Sequence, residues 1–217
     1  MRVEVPVARR VVLDHPLVHD RLARLRDVDA PPEVFRAMLR DIGRFLAMEI
    51  GRELPTRDVT VRTPMVETSA RRVDERRVAL VSVLRAGNGL LDPFLDVMPG
   101  ARVGFVGLYR DHETLEPHEY YQRLPSVSDV DLWVVVDPML ATGGSAAAAI
   151  AGLKAAGATR VVMACLVACP EGFAHLERLH PDVDVYAAAL DDHLNERGYI
   201  VPGLGDAGDR LYGTPDR

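Results

Sequence analysis

The spacing of apolar positions divides the chain into three regimes. In the first, Leu17, Leu22 and Leu25 predict a short amphipathic helix over "DHPLVHDRLARLRD", with Pro16 in its first turn. Phe35, Leu39, Ile42 and Leu46 recur at helical spacing through "PPEVFRAMLRDIGRFLAMEIGREL", and Pro55 closes that run. The period then changes. "VTVRT" and "MVETSARRV", from Val59 to Val73, read as two extended pieces around Pro64, an arm more than a part of the core.

The third regime is a series of short apolar runs rich in β-branched residues: "RVALVSVL", "RVGFVGLY", "DLWVVVD" and "RVVMACLVA". These predict buried strands. "GGSAAAAIAGLKAAGA" and "EGFAHLERLHP" are helical in pattern, and "VDVYAAAL" supplies a fifth strand. Strands alternating with helices predict an α/β protein with a parallel-sheet core and flanking helices. Ligands bind such sheets beyond the carboxyl ends of the strands, so the loops after Leu84, Tyr109, Asp137 and Leu190 are the places for chemistry. No break separates two domains, and residues 1–217 are expected to form one.

Composition narrows the function. Hydrophobic residues make up 48% and charged residues 27%, which fits a folded chain. A formal charge of −6 argues against a nucleic-acid backbone as main partner, since that work needs a basic face. No apolar run reaches the length of a membrane span and "MRVEVPVARR" lacks the core of a signal peptide, so a cytoplasmic location without membrane contact is expected. Cys165 and Cys169 on one extended strand would lie roughly 13 Å apart, beyond disulfide reach. His15 and His19 share a helix face with no third ligand near in sequence and read as surface residues.

The most informative stretch is "DPMLATGGSAAAAI", from Asp137 to Ile150. A strand ending in an acid, then Thr142, Gly143, Gly144 and Ser145 opening a helix, gathers backbone N–H groups and a positive helix end at one point, which suits a phosphate. It lacks the Gly-Lys-Ser/Thr of a nucleoside-triphosphate loop, and its glycines are adjacent, unlike a dinucleotide fingerprint. On the glycines alone, a plain strand-to-helix turn capped by Ser or Thr is an equal reading. The preceding carboxylate shifts the weight, because it can hold sugar hydroxyls or a hydrated Mg²⁺.

"VVVDPMLATGGS" resembles the 5-phosphoribosyl-1-diphosphate (PRPP) motif of the type I phosphoribosyltransferases, in the form used by the uracil phosphoribosyltransferase family. "HPLVHDRLARLRD", "LRAGNGLLD", "VGLYRDHETLEPHEYY", "CPEG" and "NERGYIVPGLGDAGDRLYGT" resemble the same family, in its order, from His15 to Thr214.

The resemblance implies the type I phosphoribosyltransferase fold, with a β-arm at 59–73 that crosses to a partner, a flap at 109–125 and a C-terminal base-binding hood over 191–217. It implies formation of UMP and diphosphate from uracil and PRPP through a transition state of oxocarbenium character. PRPP would be held by Arg85, Arg110, Asp206 and the loop Asp137, Pro138, Met139, Leu140, Ala141, Thr142, Gly143, Gly144 and Ser145. Uracil would be lined by Tyr199, Ile200, Gly205, Asp206 and Ala207, largely through backbone amides. Asp137, Arg110 and Asp206 are the catalytic candidates, with Asp206 a candidate acceptor of the N1 proton. Pro138 replaces a second acid found in many relatives, so Mg²⁺ would be held by PRPP and water, with no cage of protein side chains. A homodimer or larger homo-oligomer is implied, and GTP is a candidate activator because some relatives use it.

The chain departs from the family pattern at Ser82 and Asn88, where proline and leucine are usual. Two other readings of the same fold therefore stand beside the first. One is a catalytically silent member. The other is a nucleotide-sensing regulator of RNA or DNA, supported only by the "ARRVDERR" run from Ala70 to Arg77.

Overall fold

A computed structural model of the chain describes residues 8–110 and 117–214. After the edge strand β1 (Arg10–Val12) come two helices, α1 (Pro16–Arg26) and α2 (Pro32–Gly51), and an antiparallel hairpin of β2 (Thr56–Arg62) and β3 (Glu67–Val73). Next follow β4 (Val78–Leu84), α3 (Asn88–Val97), β5 (Arg102–Arg110) and β6 (Pro117–Arg123). The second half runs through β7 (Leu132–Val136), the two-residue β8 (Met139–Leu140), α4 (Gly144–Ala155), β9 (Val161–Ala168), α5 (Pro170–Leu179) and β10 (Asp184–Leu190). It ends in the small pair β11 (His193–Leu194) and β12 (Ile200–Val201) and the short helix α6 (Ala207–Tyr212).

The main sheet has the order β1-β10-β9-β7-β4-β5-β6, with β8 pairing on β9. Every pairing is parallel except β5 with β6. Both faces are covered, as the continuous apolar strands require. Val78, Leu80, Val134 and Val136 point into a cluster with α1, α2 and α3, while Ala79, Val81, Val83 and Val135 point into a second cluster with α4 and α5.

Helix α2 buries Phe35, Leu39, Ile42 and Leu46 as its spacing predicts, each contributing about 1.5–3 kcal/mol of transfer free energy. In α1 the outcome differs. The buried stripe is Val18, Leu22 and Leu25, and Leu17 is 47% exposed, because positions 18, 22 and 25 fall on one helical face and 17 lies beside it. His15 caps α1, its Nδ1 accepting from the Leu17 amide at 3.1 Å, and its ring lies against Phe45.

Helix α3, which the sequence reading does not include, carries Pro93 in its interior. The Pro93 ring packs on α2 at Gly43, where even an added Cβ would sit 2.6 Å from it. Cys165 lies inside β9 and Cys169 caps α5, both as free buried thiols. The hairpin begins at Thr56, three residues before the expected arm. The expected flap at 109–125 includes residues 111–116, which lie outside the described residues; on either side of them β5 and β6 form an antiparallel pair. Among the described residues, no helix is long and apolar enough to cross a membrane.

Candidate active site

The loop after β7 is fixed to the protein through its carbonyl groups. The Asp137 amide donates to Ala164 O at 3.2 Å, and Pro138 O accepts from Leu166 and Val167 at 3.0 and 3.1 Å. Met139 and Leu140 then lie on β9 as β8. Behind them, the Cys169 amide donates to Leu140 O at 3.3 Å and the Cys169 thiol to Ala141 O at 3.2 Å. Gly172 completes the backing: a Cβ there would lie 2.4 Å from Leu140 O and 2.5 Å from Ala141 O, so only glycine lets α5 approach so closely. Gly143 turns through a left-handed conformation and α4 opens at Gly144 with no side-chain cap. The first-turn amides of α4 are thereby left for an anion, with the positive end of the helix behind them.

Asp137 stands at the root of this loop, with one carboxylate oxygen 3.4 Å from the Met139 amide. Burial pushes its carboxyl up to about 7, the Met139 amide pulls the other way, and the charge of Asp206 adds to the rise. Two acids thus face one space. A bound cation there would relieve their repulsion. Among the described residues no group of three or more His, Cys, Asp or Glu gathers to hold a metal by itself.

The loop after β4 flanks the same space. Its Gly87 lies where a Cβ would come within 2.5 Å of Val136 O, so the loop rests against the end of β7. Arg85, exposed, has Nη2 3.6 Å from an Asp209 carboxylate oxygen, and the Tyr212 hydroxyl donates to Arg85 O at 3.1 Å. Helix α6 is therefore tied directly to this loop. Arg110 ends β5 at a backbone pair with Pro117.

The C-terminal segment folds over the mouth. Asn195 Oδ1 accepts from the amides of Arg197 and Tyr199, both at 3.0 Å, closing the turn between β11 and β12. Gly198 faces Thr142 of the loop after β7, 3.9 Å from its methyl carbon to an added Cβ. Asp206 caps α6 through Asp209 N at 2.8 Å, and the start of α6 lies over Ala86. Ile200 and Ala207 are buried, Tyr199 is 40% exposed, and Gly205 is open.

Asp137 to Ser145, Arg85, Gly205, Asp206 and Ala207 are thus brought to one carboxyl-edge mouth. A groove of about 510 Å³ between α2, α3 and α6, lined by Arg36, Arg40, Asn88 and Tyr212, lies beside it and includes neither Asp137 nor Asp206. Sequence reasoning missed what Cys169, Gly172, Asp209 and Tyr212 do here. "CPEG" was visible as a motif, but its role in backing the loop after β7 depends on contacts about thirty residues apart.

A family model described as uracil phosphoribosyltransferase matches residues 12–214. A uracil phosphoribosyltransferase of Enterococcus faecalis is 51% identical over 203 residues, 94% of this chain and 97% of its own. One from Paracoccus denitrificans is 51% identical over 207 residues, 95% of this chain and 98% of its own. Among solved structures, the AQ2163 protein from Aquifex aeolicus superposes with a TM-score of 0.91 at 36% identity, covering 96% of this chain and all of that one.

Proposed function

The chain belongs to the uracil phosphoribosyltransferase family, and from that premise we propose how its own residues carry out the transfer of a phosphoribosyl group from PRPP to uracil, releasing diphosphate and UMP. The observation that carries the assignment is the meeting of three loops at one mouth: Asp137 to Ser145, the Arg85 loop packed on Val136, and the Asp206 turn over Ala86.

The 5-phosphate takes the uncapped first turn of α4, where Thr142, Gly143, Gly144 and Ser145 offer amides and hydroxyls. Asp137, at the base of the loop, accepts from the ribose hydroxyls once ionised. Arg85 and Arg110, both at carboxyl ends of strands, are assigned to the diphosphate, where guanidinium donors stabilise the charge that grows as the C1–oxygen bond breaks. Mg²⁺, when bound with PRPP, supplies further neutralisation of that charge. The base rests on the backbone from Tyr199 to Ala207, so its N1 lies near Asp206, which takes the N1 proton as the new bond forms. Positioning of two substrates supplies most of the remaining rate.

The reading is completed by a homo-oligomer assembled through the β2–β3 hairpin, a cytoplasmic setting and GTP as activator, each implied by the family. Incubating the protein with uracil, PRPP and Mg²⁺ and following UMP by chromatography tests the transfer, with cytosine and hypoxanthine as controls. UMP from uracil alone is expected. Product from all three bases would remove the hood from the assignment.

A further inference from the structure

Arg26 ends α1 and Asp191 follows β10, far apart in the chain, and neither is among the residues assigned to substrate. The two meet in a bidentate pair: Nη1 to Oδ2 at 2.7 Å and Nη2 to Oδ1 at 2.6 Å. Asp191 is only 6% exposed. Its Oδ2 also accepts from the Gly203 amide at 2.8 Å, and Arg26 Nη1 also donates to Gly203 O at 2.8 Å. Both backbone polar groups of one residue, Gly203, are thus captured by one ion pair, at a left-handed φ of 63°.

The next carbonyl is held in the same manner. Arg210 Nη1 donates to Leu204 O at 2.9 Å and Nη2 to Asp27 O at 2.5 Å, with the guanidinium lying over the Phe35 ring at 4.7 Å. Arginines from opposite ends of the chain thereby turn the carbonyls of residues 203 and 204 inward. Among the described residues nothing accepts from the Gly205 and Ala207 amides that follow. Buried ion pairs repay their desolvation poorly compared with apolar packing, so stability alone is a weak reason for this one. Fixing the direction of a peptide is a better reason.

We infer that Arg26 and Asp191 are positioning residues for the base-reading loop, setting the affinity for uracil through the Gly203 peptide without touching the base. The inference rests on the assignment of uracil to residues 199–207. It predicts that the base site and the PRPP site respond differently. Arg26→Met and Asp191→Asn should each raise the KM for uracil by about tenfold or more while leaving the KM for PRPP within about threefold, since only one site's amides lose their aim. The double variant should be no worse than the more damaged single, because the two side chains act as one unit. Arg26→Lys, which keeps the charge and loses the fork, should fall between wild type and Arg26→Met.

Steady-state kinetics of the full-length proteins, with thermal midpoints alongside, decide the matter. A parallel rise in both KM values, or an unchanged uracil KM despite a lowered midpoint, would overturn the inference in favour of a general structural role. Should Arg26→Met be insoluble, the isosteric Asp191→Asn carries the same test. Ala207→Val separates the two levels: if it leaves the uracil KM of an active protein unchanged, the base is not read by this loop and the inference falls with that assignment. If Ala207→Val raises it while the pair variants do not, only the inference falls.

Discussion

The hydroxyl of Ser82 donates to Oδ1 of Asn88 across 2.9 Å. These are the two positions at which the resemblance implies proline and leucine, and the structure joins them in one interaction. It spans the loop that carries Arg85, from fully buried Ser82 near the end of β4 to the first residue of α3. Asn88→Leu alone strands the buried hydroxyl and should raise the KM for PRPP by about fivefold, the worth of a hydrogen bond near 1 kcal/mol. Ser82→Ala together with Asn88→Leu should recover most of that loss. Kinetics of the four proteins measure the coupling, and strictly additive effects would show that the bond does nothing for the loop.

Asp137 should give the protein an unusual pH signature. Its carboxyl lies near 7 in the folded chain against 3.8 for the free group. Between those values the folded state keeps a proton that the unfolded state has lost. Its contribution to stability therefore falls as pH rises, by up to about 1.4 kcal/mol per pH unit inside the window. Asp137→Asn removes that slope, so the variant should gain on the wild type between pH 4 and 7 and exceed it in urea stability at pH 8. PRPP binding runs in the opposite direction, tightening in the wild type as the carboxylate ionises through pH 7 and weak at every pH in the variant. Identical urea profiles for the two proteins would mean that the carboxyl is not held in this environment.

Asp206 combines a cap and a charge, and one substitution separates them. Asparagine caps a helix about as well as aspartate, so Asp206→Asn should keep the bond to Asp209 N and leave the thermal midpoint almost unchanged. Loss of the proton acceptor should lower kcat by about 10²-fold or more while the KM for uracil changes little. Full turnover in this variant would assign the N1 proton elsewhere.

Legibility in the sequence followed how local each signal was. Strands β4, β7 and β9 and helix α2 were readable because their burial is continuous or strictly periodic. The loop that opens α4 was readable because its acid, glycines and hydroxyls are contiguous. What stayed hidden depends on contacts between distant segments. Helix α3 holds an internal Pro93, whose ring is accommodated only because Gly43 on α2 makes room for it. Met139 and Leu140 form a strand only because β9 offers an edge, and Leu17 was exchanged for Val18 because the neighbouring helix, not propensity, chooses the buried face. Asp191 gave no local sign at all, since its partners are Arg26 and Gly203.

The β2–β3 hairpin makes the last prediction, because it is a feature that one copy of the chain leaves unsupported. Its strands pair fully from Thr56 with Val73 to Arg62 with Glu67, and its turn is tied by Thr63 Oγ1, which accepts from Met65 and Val66 N at 3.1 and 3.0 Å. An isolated two-stranded hairpin is marginal in water, yet this one carries Met65 at 89% and Val66 at 61% exposure on its tip. A well-formed hairpin that presents its apolar residues outward is suited to cover a second copy. Met65→Asp with Val66→Asp should therefore yield the monomer mass by light scattering, with an unchanged circular dichroism spectrum, and replacing 59–73 by a short glycine-serine turn should do the same. Buried charge opposite an apolar partner costs several kcal/mol, enough to dissociate a contact of modest size. If the wild type is itself monomeric, the hairpin has no such partner; if both variants remain oligomeric, the interface lies on another face of the protein.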